Sequence, residues 1–181
     1  MPSPSDSSFC ILTSALRWRQ AARLGAASGA GRAEFLRLRD AVLAERAEPG
    51  RGAEAFARLC AGCHRLRGTG QAMGPDLDAA AGRSREALLA DILDPGAAVD
   101  PRRQETAVVL RDGRTLAGVR EPGGGVGSPV VLRLPGGRRE VFSAAEVLSV
   151  RPTGRSPMPE GLGRAMTVRE LAEVIGWVRG E

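Results

Sequence analysis

His64 is the only histidine in this chain, and it closes the run Cys60-Ala61-Gly62-Cys63-His64. Two cysteines with two residues between them and an imidazole directly after form the C-x-x-C-H arrangement that attaches a c-type haem. The spacing serves that chemistry. On one helical turn, positions i, i+3 and i+4 share a face. Cys60 and Cys63 can then form thioethers to the two vinyl groups along one porphyrin edge, and His64 can reach the iron. A chain that must close around so large a group is constrained in fold more by these five residues than by its other motifs.

Two other chemistries use similar residues. A structural zinc site takes four ligands, usually Cys and His. The one further Cys or His is Cys10, far upstream in a segment of different character. A thioredoxin-like redox pair accompanies a βαβ pattern, and no strand–helix–strand pattern surrounds Cys60 and Cys63.

Composition narrows the partner. The chain has 181 residues, a net charge of +5 and a sequence pI near 10.6, which in isolation would point to nucleic acid. All 26 basic residues are arginines, and Lys, Asn and Tyr are absent. That composition reads as GC-rich coding bias, and the arginines are scattered among acids, so no nucleic-acid partner is expected. A basic surface near the haem could instead steer an acidic redox partner. Aromatic content is only 3%, so the core must rest on Leu, Val and Ala, and a buried cofactor would compensate.

No apolar run approaches the roughly eighteen residues of a membrane span, so no transmembrane segment is expected. Phe9–Leu16 is apolar but short, has no basic region before it, and leads into Arg17-Trp18-Arg19, so no signal peptide is visible. Attachment to C-x-x-C-H nevertheless takes place outside the cytoplasm, and an extracytoplasmic, periplasmic location is expected. On that ground the true start is expected upstream, or the chain is expected to be the end of a longer secreted protein.

Along the chain, residues 1–8 are Ser/Pro-rich and read as disordered. Helices are expected from Ile11 to about Leu24 and from about Ala33 to Ala47, forming an N-terminal helical extension over residues 1–48. A third helix, Arg51 to Cys63, carries the cysteines at its end. A loop follows at Gly68, Gly70 and Gly74-Pro75, then a short helix from Ser84 to Leu93 with Ser84 as N-cap. After Pro101 the period changes to that of strands: 104–111, 115–120, 130–134, 138–142 and 147–151, with turn signals at Asp112-Gly113 and Pro135-Gly136-Gly137. Five short antiparallel strands make a small curled sheet or a partly closed barrel. The last helix has Thr167 and Glu170 as a capping box, with Val168, Leu171, Ala172, Ile175 and Val178 along one face. The fold class expected is a mainly α haem domain over residues 49–181, α+β overall, with a five-strand antiparallel β subdomain inserted at about 102–151.

Iron in an electron carrier needs a second axial ligand, and Met opposite His raises the potential. Met73, Met158 and Met166 are the candidates. Met73 follows His64 closely, and a loop that short would struggle to cross the ring. Met166 heads the last helix, where a core side chain is expected. Met158 lies between Pro157 and Pro159, which restrict the backbone and would hold a thioether in place, so Met158 is the expected ligand. The other ring nitrogen of a ligating histidine usually donates to a fixed acceptor. Gly74-Pro75-Asp76-Leu77 is the expected supplier, through the Pro75 carbonyl. Arg83 and Arg85 are candidates to pair with a haem propionate.

The stretches Gly52–His64 (GAEAFARLCAGCH), Gly74–Leu77 (GPDL), Leu89–Pro95 (LADILDP), Glu105–Gly118 (ETAVVLRDGRTLAG) and Met158–Leu162 (MPEGL), with the closing Thr167–Trp177 helix, resemble the haem-binding cytochrome c domains common in planctomycetes and verrucomicrobia. The resemblance runs from about Pro49 to the C-terminus, and the β segment before M-P-E-G-L distinguishes that group. It implies one haem c bound covalently through Cys60 and Cys63, axial ligation by His64 and Met158, and the Pro75 carbonyl as partner of His64. It also implies electron passage, often beside dehydrogenase-like domains of the same polypeptide, so a redox partner protein, a dehydrogenase among the candidates, is expected. This chain lacks such upstream domains.

The function these residues imply is single-electron transfer by a c-type cytochrome, not an enzyme. Two other classes remain open: a haem-based sensor or catalyst with an open distal site, and a non-haem interaction module. With one histidine in the chain, a distal histidine of the peroxidase kind is excluded.

Overall fold

The structure is a computed structural model and describes residues 29–48, 50–123 and 125–181. The helix expected at Ile11–Leu24, the disorder expected at residues 1–8, and Cys10 lie outside the described residues. In chain order the elements are α1 (Gly29–Ala44), α2 (Arg51–Leu59), a two-residue hairpin β1 (Arg65–Leu66) and β2 (Thr69–Gly70), a 3-10 turn (Leu77–Ala80), and α3 (Arg85–Leu93). Strands β3 (Glu105–Leu110), β4 (Thr115–Arg120), β5 (Val130–Arg133), β6 (Arg139–Phe142) and β7 (Val147–Pro152) follow, then α4 (Leu162–Ala165) and α5 (Val168–Arg179). The chain is α+β.

Side chains cap the heads of two of the helices. Ser84 accepts from the Ala87 N–H at the head of α3. Thr167 and Glu170 form the expected capping box at the head of α5. Removing such a cap ordinarily costs about 1 kcal/mol. Phe35, Leu38 and Val42 of α1 pack in one core with Phe56 of α2, Leu89 and Leu93 of α3, and Leu171 and Ile175 of α5. Thus α1, read from the sequence as part of an N-terminal extension, shares the core of the helices that follow. The α2–α5 contact is close. A Cβ at Gly52 would collide with the Glu173 carbonyl and lie 2.5 Å from Trp177 Cβ. Arg85 caps α1 from outside, donating to Glu45 O at 2.7 Å, where a cation complements the C-terminal end of a helix dipole.

The five strands appear where alternation placed them. Their order is β6-β5-β4-β3-β7, all antiparallel, with β6 and β7 at the two edges. This is an open sheet and not a barrel, since β6 does not pair with β7. Val108, Leu110, Val130, Leu132 and Phe142 build a second, smaller core on one face. The β1–β2 hairpin has no counterpart in the sequence reading. Two residues per strand are too few for a period to show, and Gly68 and Gly70 there read as loop.

Candidate functional site

Helix α2 stops one residue short of the cysteines. Cys60 is its C-cap with φ −116°, and its N–H still donates to Phe56 O at 2.8 Å. The helix expected to run through Cys63 therefore breaks at Cys60, and a separate turn carries the motif. The His64 N–H donates to Cys60 O at 2.8 Å and the Cys63 N–H to the same oxygen at 3.0 Å. That closes one helical turn over Cys60–His64, so the i, i+3, i+4 geometry survives without a continuous helix.

The following loop folds back over this turn. Gln71 N–H donates to Ala61 O at 2.9 Å, and the Met73 and Gly74 N–H groups donate to Cys63 O at 3.0 and 2.7 Å. Gly70 has φ +98°, and a side chain there would strike His64 O, so only glycine suits the bend. His64 Nδ1 lies 2.9 Å from Pro75 O. With Nδ1–H donating to that carbonyl, Nε2 is left as the ring's free lone pair. Gly74 rests against the same ring, where a Cβ would come within 2.5 Å of Cε1. Asp76 caps the 3-10 turn through the Asp78 N–H at 3.0 Å and pairs with Arg65 at 2.6 Å, which holds the end of the loop.

Electrostatics favour neutral, protonated groups. Burial, and then the neighbouring Cys63, push the Cys60 thiol up to about 11. Burial also raises Cys63. Burial lowers the imidazole of His64, with the Arg103 cation acting in the same direction and the Pro75 hydrogen bond opposing it. A thiolate nucleophile of the redox-pair kind needs the opposite, a depressed thiol pKa. A neutral imidazole is the form that binds a metal. Among the described residues no three His, Cys, Asp or Glu side chains gather as a metal cluster.

The other candidates are distributed as follows. Met158 is half-buried in the loop between β7 and α4, its N–H donating to Ser156 Oγ at 3.2 Å. Met73 is 4% exposed, and Met166 is packed in the helical core. Arg83 is paired with Asp91, and Arg85 is occupied with the end of α1. Three contacts escaped the sequence reading. Gly136 N–H donates to Gly62 O at 2.9 Å, Arg133 Nη1 to Ala72 O at 3.0 Å, and Arg103 Nη1 to Gly74 O at 3.0 Å. Each comes from the strand-bearing segment to a carbonyl of the motif or its loop.

Residues 50–108 match the family model for cytochrome c. The matched stretch begins at the N-cap of α2 and ends inside β3, so it contains Cys60, Cys63, His64 and Pro75 and leaves Met158 outside. It supports a c-type cytochrome, with covalently bound haem c as cofactor and electron transfer as its chemistry. No curated protein matches the chain. The donor set fits that cofactor: two protonated thiols on one turn, and an imidazole whose Nδ1 is engaged and whose Nε2 is free. Among the described residues no helix is long and apolar enough to cross a membrane.

Proposed function

We propose that this chain is an extracytoplasmic one-electron carrier in which Cys60 and Cys63 hold haem c, His64 and Met158 are the axial ligands, and the Pro75 carbonyl orients His64. The observation that carries this reading is the Cys60–His64 turn with Nδ1 of its imidazole committed to Pro75 at 2.9 Å. Each thiol S–H would add across a vinyl C=C, forming one S–C bond and leaving the hydrogen on the neighbouring carbon. When bound, the haem supplies a metal that cycles between two oxidation states. The chain's own residues orient the imidazole, partly bury it and disfavour its charged form.

The resemblance to planctomycete and verrucomicrobial haem domains supports treating the sheet as an insertion within the haem domain, over about residues 102–151. Charge distribution supports an acidic redox partner, with a dehydrogenase among the candidates. Residues 102–155 hold ten arginines against five carboxylates, whereas residues 29–101 and 156–181 together hold thirteen against fifteen. The sheet segment thus carries the positive excess, and complementary charge accelerates encounter more than it deepens affinity.

Expression with a c-type haem maturation system tests the reading. The expected product gains the mass of one haem, has both thiols blocked to alkylation and shows a methionine-to-iron charge-transfer band. Met158→Ala should abolish that band and Met73→Ala should leave it; the reverse result would move the ligand to Met73. A five-coordinate parent protein that binds carbon monoxide readily would instead favour sensing or catalysis at an open distal site.

A further inference from the structure

Pro75 can orient His64 only if the loop that carries its carbonyl is itself held. Residues 72–75 are gripped from two sides. On one side, the Met73 and Gly74 N–H groups both end on Cys63 O. On the other, two carbonyls of the same loop are taken by guanidinium groups from the strand-bearing segment. Arg133 donates to Ala72 O, and is itself held by Glu121 at 2.7 Å; Arg103 donates to Gly74 O. Gly136 N–H pins the motif turn at Gly62 O.

Arg103 differs from the other two in where it acts. Gly74 is the residue that lies on the imidazole, so close that a Cβ would be 2.5 Å from Cε1, and Pro75 is the next residue. A shift of the Gly74 peptide therefore moves both the surface behind the ring and the acceptor of Nδ1–H. The same hydrogen bond, 3.0 Å long, puts a guanidinium charge on the carbonyl of the residue that lies against the ring.

We propose that Arg103 is a positioning residue for His64: by holding the Gly74 carbonyl it fixes the Pro75 loop against the imidazole, and by keeping a cation on that loop it biases the haem toward its reduced state. This rests on the electron-carrier reading above. The sign follows from charge. Oxidised haem carries one more positive charge than reduced haem, and a neighbouring guanidinium disfavours it. Arg103 is exposed, so the direct charge effect is screened by salt, whose Debye length is about 10 Å at 0.1 M.

The test uses the full chain carrying its haem, in four forms: parent, Arg103→Gln, Arg103→Lys and Arg114→Gln. Arg114 is the control because it lies beyond the far end of β3, a six-residue strand that rises about 3.3 Å per residue. Spectroscopic titration reads the ferrous-to-ferric ratio at a fixed ambient potential. Arg103→Gln is expected to shift that ratio several-fold toward ferric, with haem content unchanged and the shift reduced at high salt. Arg103→Lys should recover most of the ratio, and Arg114→Gln should match the parent. An unchanged ratio in Arg103→Gln, or an equal shift in Arg114→Gln, overturns the proposal. Haem mass is read first: a parent protein without covalent haem overturns the electron-carrier reading and this inference together, whereas a haem-loaded parent with an insensitive Arg103 overturns this inference alone.

Discussion

The helices and the sheet hold their parts of the molecule by different means. Among the described residues the helical core draws seventeen buried side chains from α1, α2, α3, α5 and the loops between them, while the sheet core has five. The helical elements interlock through close backbone approaches such as Gly52 on Glu173. The sheet touches the motif through hydrogen bonds to carbonyls at Gly62, Ala72 and Gly74. The Cys60–His64 turn lies between them, leaving α2 on one side and meeting the sheet segment on the other. A turn beside two separately packed cores can be held firmly by one and adjusted by the other.

Core truncations should separate the two regions most strongly. Leu171 and Leu132 are both fully buried. Leu→Ala at such sites costs about 2–5 kcal/mol. Leu171→Ala should lower the melting temperature of the whole protein by circular dichroism. Leu132→Ala should raise hydrogen exchange in β3–β6 while the amides of α5 stay as protected as in the parent. Equal loss of protection in α5 would mean one cooperative core and would break the comparison.

A smaller effect is expected at the boundary. Gly74→Ala puts a methyl against the His64 ring, and overpacking of this kind costs about 1–3 kcal/mol. Under the proposed attachment and ligation, the haem should remain bound through Cys60 and Cys63, but its spectrum should gain a high-spin component as ligation by His64 weakens. An unchanged low-spin spectrum would show that the loop yields and the ring does not.

The smallest effect is electrostatic and belongs to the helical side. The Thr167 backbone N–H, the Arg58 ion pair at 2.5 Å and the Thr167 hydroxyl draw the Glu170 carboxyl from 4.5 down to about 2. A carboxyl depressed in the folded state stabilises the fold above its unfolded value, and that contribution is lost as pH falls through the folded one. Stability should therefore decline from about pH 4.5 toward about pH 2, and Glu170→Gln should flatten that part of the acid-denaturation curve. A curve of the same slope in both proteins would assign acid sensitivity elsewhere.

Much of this was legible residue by residue. Ser84 and the Thr167–Glu170 pair mark helix starts because a cap acts over three or four residues. The alternation from Glu105 to Pro152 gives strands because side chains point to opposite faces at every step. Arg83 and Arg85 are candidates by residue type to pair with a propionate, and in the structure one pairs with Asp91 and the other caps α1. In a chain whose basic residues are all arginine, the type alone does not distinguish a cap from a ligand contact. The open edges of the sheet were equally hidden, because strand periodicity is the same in a sheet and in a barrel.

By itself the sequence determined the C-x-x-C-H motif, the order of the longer helices and strands, and the apolar face of the last helix, since spacing, capping and hydrophobic period are all local. Tertiary structure alone decided that α2 breaks at Cys60 while the turn to His64 persists, and that Gly74 lies close against the imidazole. It also decided that Arg103, Arg133 and Gly136 reach back to carbonyls 29, 61 and 74 residues earlier in the chain. A carbonyl's partner at that separation depends on how the intervening elements pack. It leaves no trace in the identity of Gly62, Ala72 or Gly74, because every residue offers the same oxygen.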